Sequence, residues 1–176
     1  MTEITLRSPL GVWWGDADAA YPSYPYNLAA WTPIGEIQYQ SQEGAVIKHP
    51  FSVYRSRKSG NAATRKVVVT KEDVEIEVTL VDVRAASLAR VWGVDVTIAN
   101  NRTRFTVTEQ TTEEIEPKSL FLVSERAPHI SVLIQRAVLI TRPTLQFSRY
   151  KTPTYKLVFL ALPNAYGELF SYEVIS

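Results

Sequence analysis

The side chains that most often carry chemistry are sparse and scattered in this sequence. Its two histidines, His49 and His129, each stand alone, with no H-x-x-x-H or H-E-x-x-H pattern to bring a second ligand to the same face. Asp16 and Asp18 form a D-x-D pair after Gly15, as at the start of a calcium loop. The acid and glycine that should follow are replaced by Ala20 and Tyr21. There is no G-x-S-x-G elbow, no G-x-G-x-x-G and no G-x-x-x-x-G-K-[ST], and seven glycines leave little to build a phosphate cradle. The absence of cysteine excludes disulfides, thiolate metal sites and a thiol nucleophile. The residues therefore predict no catalytic site, no cofactor and no bound metal. Trp13 and Trp14, with Tyr21, Tyr24 and Tyr26 nearby, could stack on sugar rings. In a strand, however, adjacent side chains point to opposite faces, so one indole goes inward and one outward. The outward ring is expected in a subunit interface, where Trp and Tyr are enriched.

Composition narrows the class of protein further. The 176 residues suit one domain spanning 1–176, long enough to bury a core unaided. Nineteen Lys and Arg against 18 Asp and Glu give +1, which argues against coating nucleic acid or anionic membrane by bulk charge. No apolar run reaches membrane-helix length, and the opening MTEITLRSPLGVWWGDADAA lacks the layout of a secretory leader. A soluble protein made in the cytoplasm, with no membrane partner, is expected.

The elements that would position these residues are mostly strands. Val74, Ile76, Val78 and Leu80 alternate with Glu75, Glu77 and Thr79, which is the pattern of a sheet with one buried and one wetted face. Segments 94–98 and 103–107 repeat it, with Val94, Val96 and Ile98 predicted inward and Arg102 and Arg104 on a polar face. Further strands are predicted at 35–40, 51–56, 65–70, 119–123, 130–134, 137–141, 144–148, 155–161 and 168–175, punctuated by prolines. The fold class is mainly β, an antiparallel β-sandwich or partial barrel. One short α-helix over about 83–92 flanks it. Ala85, Leu88, Ala89 and Trp92 share a helical face, Asp82 suits the N-cap and Gly93 the left-handed C-terminal position, so Leu88 and Trp92 are expected to pack on the sheet.

Charge is segregated despite the small total. From Gly44 to Lys71 there is no acid, and a long basic loop is predicted over about 44–66, carrying Lys48, Arg55, Arg57, Lys58, Arg65 and Lys66. Acids gather at Glu72–Glu77 and Glu109–Glu116. Copies assembling front to back would bring the two clusters together.

Taken in order, these features resemble the tail tube (major tail) proteins of tailed bacteriophages. The segments that carry the resemblance are S-P-L-G-V-W-W-G-D-A-D, then W-T-P-I-G-E (Trp31–Glu36), the basic loop, and the strand Glu72–Val83 running into A-A-S-L-A-R-V-W-G. They continue with A-V-L-I-T-R-P-T-L-Q-F-S (Ala137–Ser148), K-L-V-F-L-A-L-P (Lys156–Pro163) and Y-G-E-L-F (Tyr166–Phe170). The resemblance implies a structural, non-enzymatic subunit of the virion, assembled in the host cytoplasm. Six copies would form a ring, and rings would stack into a hollow conduit with tape measure and terminator proteins as partners. Edge strands would join into one inner barrel, and the basic loop (Lys48, Arg55, Arg57, Lys58, Arg65, Lys66) would reach the next ring. About 24 strands at ~4.8 Å spacing and ~40° tilt close at roughly 48 Å, wide enough for a duplex. DNA must pass without specific binding, because each cation meeting phosphate adds affinity, so an acidic or neutral lining is expected. Glu36, Gln38, Gln40, Glu75, Glu77 and Thr79 are the candidates for that face. A tail terminator or connector ring, or a carbohydrate-binding β-sandwich, are the alternative readings.

Overall fold

A computed structural model describes residues 2–6, 10–37, 45–49, 51–57, 64–80, 89, 94–100, 102–106, 116–124, 129–141 and 155–175. The strands are β1 (Thr2–Leu6), β2 (Leu10–Gly15), β3 (Thr32–Ile37), β4 (Ala45–His49), β5 (Phe51–Arg57), β6 (Thr64–Glu72), β7 (Val74–Leu80), β8 (Val96–Ala99), β9 (Arg102–Phe105), β10 (Lys118–Ser124), β11 (His129–Thr141), β12 (Tyr155–Ala161) and β13 (Ser171–Ile175). Nine of them form one antiparallel sheet in the order β1-β4-β7-β12-β11-β10-β2-β3, with β13 also on β11. Hairpins β5–β6 and β8–β9 stand outside it as two-stranded ribbons.

The long strand β11 lets one sheet serve as two layers. Its first half pairs with β13 (His129↔Ile175 to Leu133↔Ser171) and its second half with β12 (Ala137↔Ala161), while β10 runs along its other side. The sheet bends here and brings β3 back against β7. The fold is thus a sandwich or partial barrel that does not close. Alternation then selects the core: Val74, Ile76, Val78 and Leu80 are buried and Glu75, Glu77 and Thr79 are not. The inner faces of β12, β10, β11, β2 and β3 add Phe159, Leu120, Ile134, Val12 and Ile34 to the same cluster.

Several expectations change. The loop predicted over about 44–66 is interrupted by strands: 45–49 is β4, inside the main sheet, while the strands predicted at 51–56 and 65–70 are present as Phe51–Arg57 and Thr64–Glu72, the β5–β6 ribbon. Val53 opposite Val69 and Tyr54 opposite Val68 supply the strand-forming pairs that outweigh the basic residues around them. Segments 130–134 and 137–141 are one continuous strand, β11, and the last strand starts at Ser171 rather than 168. Val96 and Ile98 are exposed, because β8–β9 projects from the body and alternation alone cannot say whether a face meets a core. The helix over 83–92, with Leu88 and Trp92, and the strand 144–148 lie outside the described residues, apart from Ala89. That alanine is helical and fully buried, and its carbonyl accepts the Val94 N–H at 3.0 Å.

Candidate assembly surfaces

Adjacent indoles go to opposite faces, as strand geometry requires. Trp14 joins the main core and meets Phe159 edge-on at 5.2 Å. Trp13 lies on the other face, opposite Phe121, which in turn lies opposite Leu133, a cross-strand row along β2, β10 and β11. The outward ring was expected in a subunit interface, but the chain covers it itself. Segment 16–31 straps this face, and Tyr21, Tyr26, Leu28 and Trp31 pack with Trp13 against Phe121, Val123 and Leu133. Phe121 takes Tyr21 and Tyr26 edge-to-face at 5.7 and 5.2 Å. Gly15 is needed where Trp31 comes close, since a Cβ there would lie 2.8 Å from the indole.

A chain of hydroxyls pins the strap. Tyr26 donates to Glu173 Oε2 at 3.3 Å, so its oxygen accepts the Ser131 hydroxyl at 2.7 Å, and Ser131 Oγ accepts the Tyr21 O–H at 2.6 Å. Burial pushes the Tyr21 phenol up to about 12 and raises Tyr26 as well. At the other end of the strap, the Asp18 N–H and Ser119 Oγ both donate to the Gln135 carbonyl, at the bulge where Ser119 faces an extra residue of β11.

The candidate lining residues divide among strands. Glu75, Glu77 and Thr79 share the outer face of β7, on the side away from the core. Lys48, expected in an inter-ring loop, lies in β4 opposite Glu75, with its Nζ 2.8 Å from Glu77; Lys156 of β12 reaches the same carboxylate at 2.7 Å. Hydrogen bonds from Lys156 and Lys48 hold the Glu77 carboxyl below the usual range. This face therefore carries two acids and two bases and is close to neutral. Glu36 belongs to a different pairing, opposite Gly11 in β3, and Gln38 and Gln40 lie outside the described residues. Arg55, Arg57, Arg65 and Lys66 fall on the β5–β6 ribbon, with Arg65 the extra residue of a bulge; Lys58 lies outside the described residues.

Among the described residues, β1 pairs only with β4, β3 only with β2, β13 only with β11, and each ribbon only with itself. A strand with no neighbour on one side presents its N–H and C=O groups to another chain. Pro33 suits β3 because an edge strand can spare an amide donor. On β13, Tyr172 and Val174 lie opposite the core-side residues Val132 and Ile130, yet both remain exposed. The apolar layer thus continues past the body at this border.

His49 packs edge-on to Phe170, and His129 Nδ1 lies 3.4 Å from the Ser124 carbonyl. Among the described residues, no three His, Cys, Asp or Glu side chains are placed to hold an ion, and no helix is long and apolar enough to cross a membrane. The aromatic strap and the bulge at Gln135 escape sequence reasoning, because each joins segments about 100 residues apart. No protein-family model matches the sequence. No curated protein matches it either.

Proposed function

We propose that this protein is a structural subunit that self-assembles through its strand borders, and specifically a tail tube subunit of a tailed bacteriophage. Six copies form a ring, and rings stack into a conduit through which DNA passes. The observation that carries this reading is that, among the described residues, β1, β3 and β13 each have a paired strand on one side only. A monomer bearing three such borders risks aggregation unless they are capped, and closure around a ring removes them. The β4–β7–β12 face supports the conduit role, because Lys48 and Lys156 balance Glu75 and Glu77 and leave little net attraction for phosphate. The β5–β6 ribbon, with Arg55 and Arg57, is the element that reaches the next ring. No step in this function consumes a cofactor or turns over a substrate.

Negative-stain microscopy of purified protein at rising concentration tests the proposal. Hollow tubes of constant diameter are expected. Isolated rings that never stack would make the protein a terminator or connector, and a monomer at every concentration would end the assembly reading.

A further inference from the structure

The two most exposed large apolar side chains among the described residues are Tyr166, 88% exposed, and Ile98, 76% exposed. Each tops a projection with its own internal order. Asn164 organises the first: its Oδ1 accepts the N–H groups of Tyr166 and Glu168, both at 2.9 Å, and its amide donates to Gln135 Oε1 and to Glu168 Oε2. Gly167, at φ +81°, completes the turn through an N–H to the Asn164 carbonyl. Tyr166 is therefore held out on a pre-formed turn tied to β11. A rigid aromatic displayed this way loses little entropy on binding, and such residues dominate interface energetics. Glu168 stands exposed two residues on.

The second projection is the β8–β9 ribbon. Val96 opposite Phe105 and Ile98 opposite Thr103 give it an apolar face, and Thr97 opposite Arg104 and Ala99 opposite Arg102 give it a basic one. Phe105 packs against the main core, so the apolar face starts in the body and runs outward to Ile98. Arg102 and Arg104 are exposed, and Arg102 flanks the turn, where its long side chain can span the thickness of a two-stranded ribbon.

We infer that the Tyr166 turn of one copy docks on the β8–β9 ribbon of a second copy, with Tyr166 on Ile98 and Val96 and with Glu168 paired to Arg102 at the ribbon's end. Each projection supplies what the other lacks: aromatic against aliphatic surface, and acid against base. The two surfaces differ, so the contact is head-to-tail. A bound pair keeps one turn and one ribbon free, so the contact propagates into a closed ring or a filament. This contact rests on the self-assembly reading and names where copies touch beyond their strand borders.

The lack of native cysteine permits a direct test. A tagged Tyr166→Cys chain is mixed with an untagged Ile98→Cys chain and oxidised under assembly conditions. The covalent mixed dimer should exceed both like-with-like dimers several-fold. In sedimentation, Glu168→Arg should weaken self-association by about tenfold, and Arg102→Glu on the same chain should restore it. Wild-type rings or tubes with no excess of mixed dimer, or a charge reversal that restores nothing, would overturn this contact and leave the conduit reading standing. A monomer at every concentration would remove both. Circular dichroism of each exposed-site variant confirms that it is folded.

Discussion

Phe121→Ala removes the side chain that joins the strap over residues 16–31 to the sheet. Phe121 is fully buried, lies opposite Trp13 and Leu133, and takes Tyr21 and Tyr26 edge-to-face with Trp31 tilted against it. Truncating a buried phenylalanine costs about 3–5 kcal/mol. Each edge-to-face pair contributes ~0.5–1.5 kcal/mol beyond area burial, which places this site at the upper end. For a chain of 176 residues, the melting temperature should fall by about 6–20 °C. The damage should also be local in a way that can be read separately. Without the ring, water reaches Tyr21, so its ionisation should move from about 12 back toward the ordinary tyrosine value. Urea melts followed by tryptophan fluorescence give the first quantity, and absorbance titration of the folded variant gives the second. A variant within about 1 kcal/mol of wild type, with its tyrosine titration unchanged, would refute the claim that Phe121 anchors the strap.

Three further outcomes follow from the same geometry. Tyr21 holds its proton more tightly when folded, so its contribution to stability is complete below the unfolded value near 10 and disappears as pH rises toward 12. Tyr21→Phe should flatten the alkaline limb of the stability profile, as measured by urea midpoints across that range. Glu77 has the opposite sign: its depressed carboxyl adds stability above the unfolded value, and that stability is lost as pH falls through the folded one. Because Lys48 and Lys156 are partly exposed, Glu77→Gln should cost only ~0–1 kcal/mol at neutral pH and reduce the acid dependence, again read from urea midpoints. Gly15→Ala forces a Cβ against Trp31 and should destabilise by about 1–3 kcal/mol with a change in tryptophan emission; an unchanged spectrum and midpoint would mean the strap is loosely seated.

The sequence disclosed those parts of the fold whose physics is local. β7 and β12 emerge almost to the residue, because strict alternation in 74–80 and an apolar run at 155–161 are properties of short windows. β1 and β4 carry the same signal, Ile4 and Leu6 in one and Ala45 and Ile47 in the other, but each is only five residues long and easily passed over. Gln135 and Arg136 look like a break between two strands. They are a bulge in one strand, because the Gln135 carbonyl finds distant donors in Ser119 and Asp18. Lys48 looks like one cation of a basic run, and only the pairing of β4 with β7 brings it to Glu77. The candidate surfaces were half legible for the same reason. Residue type tells which side chains favour water, but whether Val96 and Ile98 meet a core depends on where the ribbon emerges.

In the proposed assembly, β1, β3 and β13 are finished only by other copies. Amide hydrogen exchange, followed by mass spectrometry on dilute monomer and on assembled protein, tests it most directly. Peptides covering 2–6, 32–37 and 171–175 should exchange rapidly in the monomer and gain protection of at least tenfold on assembly, while β7 and β12 stay protected throughout. Strong protection of all three borders in the dilute monomer, or no gain once particles have formed, would contradict the account.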